Sequence, residues 1–290
     1  MSRKILITGV SSGFGLLTAK ALIEQGHQVV GTMRSTSGKN EAVASELSSL
    51  GVHLVELDVT DGQSTGNGVA KAIELMDGLD TVINNAGVGV LGIQEMFTVE
   101  DMQKVFDVNV FGVQRVMRAV LPHLRAQGKG TIIHISSCIG RITFPFYGPY
   151  IASKWALEAL AENYRTELSG FGIESAIVEP GGFATNFIGS LIRPSDDTRI
   201  ESYGELAHVP EASVAGFEEA MASHPDQKPE LVADAILDIL NQPFGEKPFR
   251  TVVDKMGMGE PITAYNEKLD EVTKGIYTAF GMEGTLALNK

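Results

Sequence analysis

The sequence predicts an α/β fold: a doubly wound, mainly parallel sheet of strand order 3-2-1-4-5-6-7 with helices on both faces. Two observations carry this. Short apolar runs alternate with segments of helical period from Lys4 to about Val253, and the first strand-to-helix junction is a glycine-rich turn. At 290 residues the chain is long enough to bury a full core, and we read residues 1–290 as one domain.

Lys4-Ile-Leu-Ile-Thr8 reads as a buried strand, followed by Gly9-Val-Ser11-Ser12-Gly13-Phe14-Gly15 and a helix over Leu16 to Glu24. Gly9 permits the tight turn, Gly13 lets an anionic ligand approach the backbone, and Gly15 lets helix and strand pack closely. The free N–H groups of that helix start then face the anion. Gln28 to Thr32 forms the second strand. Beyond it come Met33, Arg34, Ser35, Thr36, Ser37 and Lys39, donors and positive charge suited to a phosphate, where a carboxylate would instead take a ribose hydroxyl.

Val52 to Leu57 is the third strand, ending at Asp58-Val59, and Gln63 to Met76 is a helix weakened near its start by Gly66 and Gly68. A fourth strand begins at Leu79 and runs into the turn Asn84-Asn85-Ala86-Gly87. Its asparagines can bond local backbone and its small residues permit close approach. Thr98 to Gln127 reads as one long helix with Thr98 as N-cap. Asn109 in its interior is mildly unfavourable there, which points to a specific role.

Gly130 to Ser137 is a buried strand, followed by a segment containing Phe144, Phe146 and Tyr147, and Pro149 then opens a helix carrying Tyr150-Ile-Ala-Ser-Lys154. Tyrosine and lysine four apart share a helix face. An unperturbed phenol titrates near pH ~10, and an ammonium about 4 Å away would stabilise the phenolate by at most roughly 4 kcal/mol, about three pKa units. Tyr150 would then exchange a proton with a substrate oxygen, and Ser137, thirteen residues upstream, would hydrogen-bond that oxygen.

Gly172 to Glu179 is the sixth strand, leading into Pro180-Gly181-Gly-Phe183-Ala-Thr185. Residues 186–227 are irregular, with Phe187, Ile188, Leu191 and Ile192 among acidic residues and prolines, the pattern of a lid. Phe144, Tyr147 and Phe187 suggest an apolar substrate pocket. Pro229 to Leu240 is a helix and Phe249 to Val253 the last strand. The tail, about 254–290, is expected to cover either the cleft or an oligomer contact.

Five of these motifs, in order, resemble the short-chain dehydrogenase/reductase family: the Thr8-Gly9-x-x-x-Gly13-x-Gly15 turn, Asn84-Asn85-Ala86-Gly87, Asn109, Ser137 with Tyr150-x-x-x-Lys154, and Pro180-Gly181. The resemblance implies a Rossmann-type fold and catalysis by Asn109, Ser137, Tyr150 and Lys154. The lysine would lower the tyrosine pKa and hold the nicotinamide ribose, and Asn109 would hold a water linking the lysine to solvent. It further implies cofactor contacts from Gly9, Ser11, Ser12, Gly13, Phe14, Gly15, Arg34, Asp58, Val59, Asn85, Ala86, Gly87, Pro180, Gly181, Phe183 and Thr185, with Asp58 and Val59 at the adenine. Arg34 favours NADP(H) over NAD(H), although Ser12 stands where many NADP-dependent relatives carry a second basic residue. The chain thus resembles carbonyl reductases and hydroxysteroid or retinol dehydrogenases of the family, which act on a carbonyl or alcohol and are often dimers or tetramers. A non-catalytic NADP(H) sensor on the same fold is the alternative, opposed by the retention of Tyr150 and Lys154. The glycine spacing speaks against the related sugar-nucleotide epimerases.

Net charge of −13 argues against nucleic acid or an anionic membrane surface as partner. Cys138 is the single cysteine, which excludes an internal disulfide, and the six histidines lack metal-ligand spacing, so no metal is expected. His134, in an apolar strand, reads as core. With a strand starting at Lys4 and no apolar run of about 18 residues, a cytoplasmic protein without a membrane span is expected.

Overall fold

A computed structural model describes residues 2–288; Met1, Asn289 and Lys290, at the ends of the expected domain and tail, lie outside the described residues. In chain order the main elements are β1 (Lys4–Thr8), α1 (Gly13–Glu24), β2 (Gln28–Met33), α2 (Glu41–Ser49), β3 (His53–Glu56), α3 (Gly62–Met76), β4 (Thr81–Asn84), α4 (Val99–Phe106) and α5 (Val113–Gln127). They continue with β5 (Gly130–Ile135), α6 (Gly148–Leu168), β6 (Ile173–Pro180), α7 (Val209–Ala222), α8 (Glu230–Asn241), β7 (Arg250–Val253) and α9 (Gly259–Ala279). The seven strands form one parallel sheet in the order β3-β2-β1-β4-β5-β6-β7, as the alternating pattern predicts.

Alternation along β1 sends Ile5 and Ile7 to a core with α1 and α8, and Leu6 to a second core with α3 and α5. Both faces are therefore covered, which is why the central strands read as continuous apolar runs. The chain reverses its direction of winding between β1 and β4, so a crevice opens beyond their carboxyl ends. That crevice holds the site described below.

Several elements differ from the sequence expectation for local reasons. The expected helix over Thr98 to Gln127 is broken by a π-helical turn, Asp107–Gly112, between α4 and α5. Thr98 does cap α4, in a reciprocal capping box with Asp101. Gly68 does not weaken α3 without return: a Cβ there would lie 2.7 Å from Leu57 Cδ1, so the glycine admits the β3 end against the helix. Asp61 supplies the N-cap, accepting from Gln63 N at 2.7 Å and Ser64 N at 2.9 Å. The segment expected to be irregular holds α7, of which Pro210 alone is buried.

The tail folds as α9 and runs beside β7, where it closes a buried ionic cluster. Arg250 Nε lies 3.1 Å from Glu158 Oε2, and Arg141 Nε donates to Asn266 Oδ1 of α9 at 3.1 Å. Burial and the neighbouring Glu158 raise Glu179 above the ordinary carboxylate range, against the pull of Asn266, Arg250 and Arg141.

Candidate active site

The crevice is a cavity of about 460 Å³. Its wall gathers residues from widely separated stretches of sequence, including Ser12, Gly13, Arg34, Asp58, Asn85, Ser137, Tyr150, Lys154, Gly181 and Thr185. Of the catalytic and cofactor-contact residues that the family resemblance implies, all but Asn109 and Gly15 line it, whereas Ser35, Thr36, Ser37 and Lys39, expected from sequence beside a phosphate, do not.

At one end the glycine turn is built against the β4 turn. Gly9 has φ +75, and a Cβ on it would fall 2.9 Å from Ala86 Cα, so only glycine fits that position without displacement. Asn85 donates from Nδ2 to Thr8 O and Gly9 O, both at 2.9 Å, and the Asn85 and Ala86 N–H groups both donate to Thr8 Oγ1 at 3.0 Å. Asn85 thus shapes the turn from behind as well as facing the cavity. Gly13, with φ +57, would present an added Cβ only to Thr185 Cβ, 3.9 Å away, so its open side faces the cavity.

Beyond β2, Arg34 is exposed at the cavity edge and makes no hydrogen bond or ion pair among the described residues. Thr36 is committed elsewhere: its N–H and hydroxyl both donate to Glu56 Oε1, at 2.8 and 2.9 Å, which fixes the loop to β3. Burial works to raise Asp58. Hydrogen bonds from Thr60 and the charges of Arg34 and Arg115 outweigh it and hold the carboxyl below its usual range.

At the other end the site is built by β5, α6 and the π-helical turn. Ser137 caps a short turn after β5; its Oγ accepts from Ile139 N at 3.3 Å and donates to Pro180 O at 3.4 Å. Pro149 stands in the first turn of α6, and Phe146 just before it has a left-handed backbone (φ 71), a strained conformation for a side chain of that size. Lys154 Nζ donates to Ile135 O at 2.7 Å and lies 5.6 Å from the Tyr150 ring centroid.

The ionisation of this pair differs from the sequence expectation. Burial pushes the Tyr150 phenol up to about 12, with the Ser137 hydroxyl acting in the opposite direction. Burial likewise pushes Lys154 down to about 8, against the charge of Glu158 one turn further along α6. The protein groups by themselves therefore do not lower the tyrosine: desolvation of the buried phenolate is the largest effect on it, and the ammonium is bonded to a carbonyl rather than to the phenol. A cationic ligand against the phenol would act in the direction that the lysine alone does not achieve.

A stability test follows from the lysine shift. Its folded-state pKa lies below the ordinary 10.5, so between about 8 and 10.5 the unfolded chain binds more protons and this group's stability contribution rises with pH. Below about 8 the buried charge is a standing cost of roughly 3 kcal/mol. Lys154→Met removes that cost and loses a hydrogen bond worth about 1 kcal/mol. The variant is expected to be more stable than the parent by about 2 kcal/mol at pH 7 in urea denaturation, the gap closing toward pH 10.5. A gap that widened with pH would refute the assignment.

Asn109 sits in the widened turn with its amide fully engaged. Its Oδ1 accepts from Val88 N, and its Nδ2 donates to Val88 O and Ser153 Oγ, all at 2.9 Å. It clamps the segment after β4 to α6, one layer behind Lys154. The π-turn explains why an asparagine is stable there: the extra residue turns its amide onto the Val88 backbone. Asn84 is buried with its Nδ2 near His134 Nδ1 (3.4 Å), and burial then the Lys154 charge push His134 down to about 3, a neutral core imidazole. Cys138 is buried, its thiol raised by burial and donating to Glu179 O.

The upper wall is apolar. Phe187 packs on Tyr150 (ring centroids 5.6 Å) and over Gly89, while Phe144 lies 6.2 Å from Tyr147. Phe217 of α7 and Met258 before α9 complete this wall, and both were missed from the sequence. Their signal is weak, since an isolated Phe in an exposed helix and a Met in a Gly-Met-Gly run carry no motif.

A profile of the short chain dehydrogenase family matches residues 3–195. The chain belongs to the short-chain dehydrogenase family. It is 41% identical over 183 residues to a 3-ketodihydrosphingosine reductase of Bacteroides thetaiotaomicron, covering 63% of this chain and 65% of that protein. With retinol dehydrogenase 8 of Bos taurus it shares 36% identity over 222 residues, covering 72% of this chain and 70% of that one. A short-chain dehydrogenase from Streptomyces avermitilis superposes over 97% of this chain and 98% of its own at a TM-score of 0.75 and 29% identity. Other solved chains of this fold hold 5-hydroxy-NADP, NAD or NADH. As a short-chain dehydrogenase the protein is an oxidoreductase. No helix among the described residues is long and apolar enough to cross a membrane, and no group of three or more metal-binding side chains stands together there.

Proposed function

We propose that this short-chain dehydrogenase uses NADP(H) to interconvert a carbonyl and an alcohol on a hydrophobic small molecule, with Tyr150 as general acid and base. The observation that carries the reading is the placement of Ser137, Tyr150 and Lys154 on the wall of the cavity that also holds the glycine turn and Arg34. The donor set fits a dinucleotide: open glycine backbone at Gly13, the N-terminus of α1, Asp58 at the end of β3 and the Pro180 to Thr185 loop. When bound, the nicotinamide supplies or accepts the hydride.

The chain's own residues do the rest. Ser137 holds the substrate oxygen, Tyr150 gives it a proton in reduction and takes one in oxidation, and Lys154 donates to the ribose. Asn109 acts through Val88 and Ser153, keeping α6 in register with the β4 turn. Phe144, Tyr147, Phe187, Leu191 and Phe217 form the apolar wall that receives the substrate body. The names of the sphingosine-type reductase and the retinol dehydrogenase support a lipid-like carbonyl or alcohol.

Oxidation of NADPH and NADH against hydrophobic ketones, aldehydes, ketosteroids and long-chain 3-oxo compounds tests this reading. Turnover with NADPH on an apolar carbonyl is expected, and tight binding without turnover on every class would overturn it in favour of a sensor. Arg34→Ala is expected to weaken NADPH about tenfold, the value of one charge-assisted hydrogen bond, and to leave NADH within about twofold. Equal losses for both cofactors would remove Arg34 from a phosphate site.

A further inference from the structure

We propose that Gln227 and Asp254 form a positioning bracket for the loop after β6, so that the nicotinamide end of the cofactor is held by residues outside the cavity. This deepens the reading above and rests on it, since that reading places the nicotinamide against Pro180 to Thr185. Neither residue lines the cavity, and neither belongs to a motif visible in the sequence.

Gln227 is 3% exposed although it ends a segment that is mostly in solvent. Its Nε2 donates to Gly182 O at 2.7 Å and to Asp254 Oδ1 at 3.3 Å, and its Oε1 accepts from Lys255 N at 2.7 Å. Both Nε2 protons and one carbonyl lone pair are thus committed, leaving the amide one workable orientation. Asp254 is equally committed: its Oδ2 accepts from Met256 N at 3.0 Å, Met258 N at 2.8 Å and Gly259 N at 3.1 Å. That carboxylate therefore fixes the start of α9 and places Met258 on the cavity wall.

The loop is fitted to the bracket in turn. A Cβ at Gly181 would lie 2.0 Å from Asp254 Oδ1, so the glycine is required by the carboxylate behind it, and Gly181 N donates to Val253 O at 2.9 Å. A Cβ at Gly182 would lie 2.4 Å from Phe217 Cε2. The two glycines are thus pressed between the β7 end on one side and the lid helix on the other. Gln227, at the end of the lid, takes hold of this loop through the peptide carbonyl of Gly182. Without the donor, that peptide is free to rotate, and the loop loses its fixed presentation to the cavity.

The test is Gln227→Glu in the full chain. The change keeps the acceptor for Lys255 N, removes the donor to Gly182 O and sets a carboxylate against Asp254. Gln227→Met serves as the second variant, neutral and of similar volume, should the first unfold. Dissociation constants are measured for the reduced dinucleotide that the parent binds more tightly and for the adenosine fragment of the same cofactor (2′,5′-ADP for NADPH, 5′-AMP for NADH). About tenfold weaker dinucleotide binding with fragment binding unchanged, together with altered reduced-nicotinamide emission, is expected. Parallel losses for dinucleotide and fragment, or no change in either, would overturn the bracket. A parent protein that binds the fragment but gains nothing from the nicotinamide half would instead sink the underlying reading.

Discussion

Tyr150→Phe is expected to lower turnover by about three orders of magnitude, within the range found when a positioned acid or base is lost, while leaving cofactor affinity within about threefold. The phenol hydroxyl is the one atom removed, and the ring keeps its packing on Phe187. A rival lies close by, because Tyr147 also lines the cavity and its phenol too is raised by burial. The two are separated by position. Tyr150 is buried, shares a helix face with Lys154 and interacts with Ser137, whereas Tyr147 is half-buried and packs on exposed Phe144. Tyr147→Phe is therefore expected to keep turnover within about fivefold, as an apolar wall residue would. Single-turnover reduction with each variant checks both statements. The reverse ranking would move the proton-transfer role to Tyr147.

Lys154 adds a condition on that chemistry. A phenol near 12 stays protonated at neutral pH, leaving almost no phenolate to act as base, and the lysine beside it holds its own proton only up to about 8. The positive ring of an oxidised nicotinamide held by the Pro180 to Thr185 loop would favour the phenolate, so proton removal from an alcohol would become easier with it in place. The serine, the tyrosine and the lysine are thus a site prepared for charge rather than one already carrying it.

What was legible in the sequence was what is local. The Gly9, Gly13 and Gly15 turn, the strand alternation and the Tyr150/Lys154 spacing are each set by neighbours a few residues away, so they survive being read in one dimension. The π-turn at Asp107–Gly112 was not legible, because one inserted residue leaves the apolar pattern of both flanking helices intact. The sign of the tyrosine shift was missed for another reason. It depends on a balance between burial and charge, and burial is a property of the assembled fold. Gln227, Asp254, Phe217 and Met258 are ordinary residue types that acquire meaning only when β6, β7 and the lid come together. Gly181 stands in a visible Pro-Gly motif, yet the carboxylate that demands it, Asp254, lies at another strand's end.

Gly15→Ala puts two opposing effects into one substitution, and their magnitudes decide the outcome. Alanine is favoured over glycine in a helix interior by about 1 kcal/mol, and Gly15 lies in α1 with no positive φ to argue against a side chain. A Cβ there, however, would lie 2.3 Å from Gly9 O and 2.4 Å from Asn85 Nδ2. These two atoms are partners in the 2.9 Å hydrogen bond that ties the β4 turn to the glycine turn, so the methyl would intrude on that bond. Neither is the end of a flexible chain: one is backbone, and the other is held also by Thr8 O. Overpacking costs about 1–3 kcal/mol where neighbours can yield, and more where they cannot. The clash therefore wins, and relief comes by tilting the start of α1 away, which carries Ser12 and Gly13 with it. Cofactor affinity is expected to fall about a hundredfold, roughly 3 kcal/mol, with a lowered melting temperature. Calorimetric titration with NADPH and thermal unfolding check this together. An alanine variant that melted higher and bound NADPH as the parent does would show that helix propensity governs this position and that close approach of α1 to the turn is not required for binding.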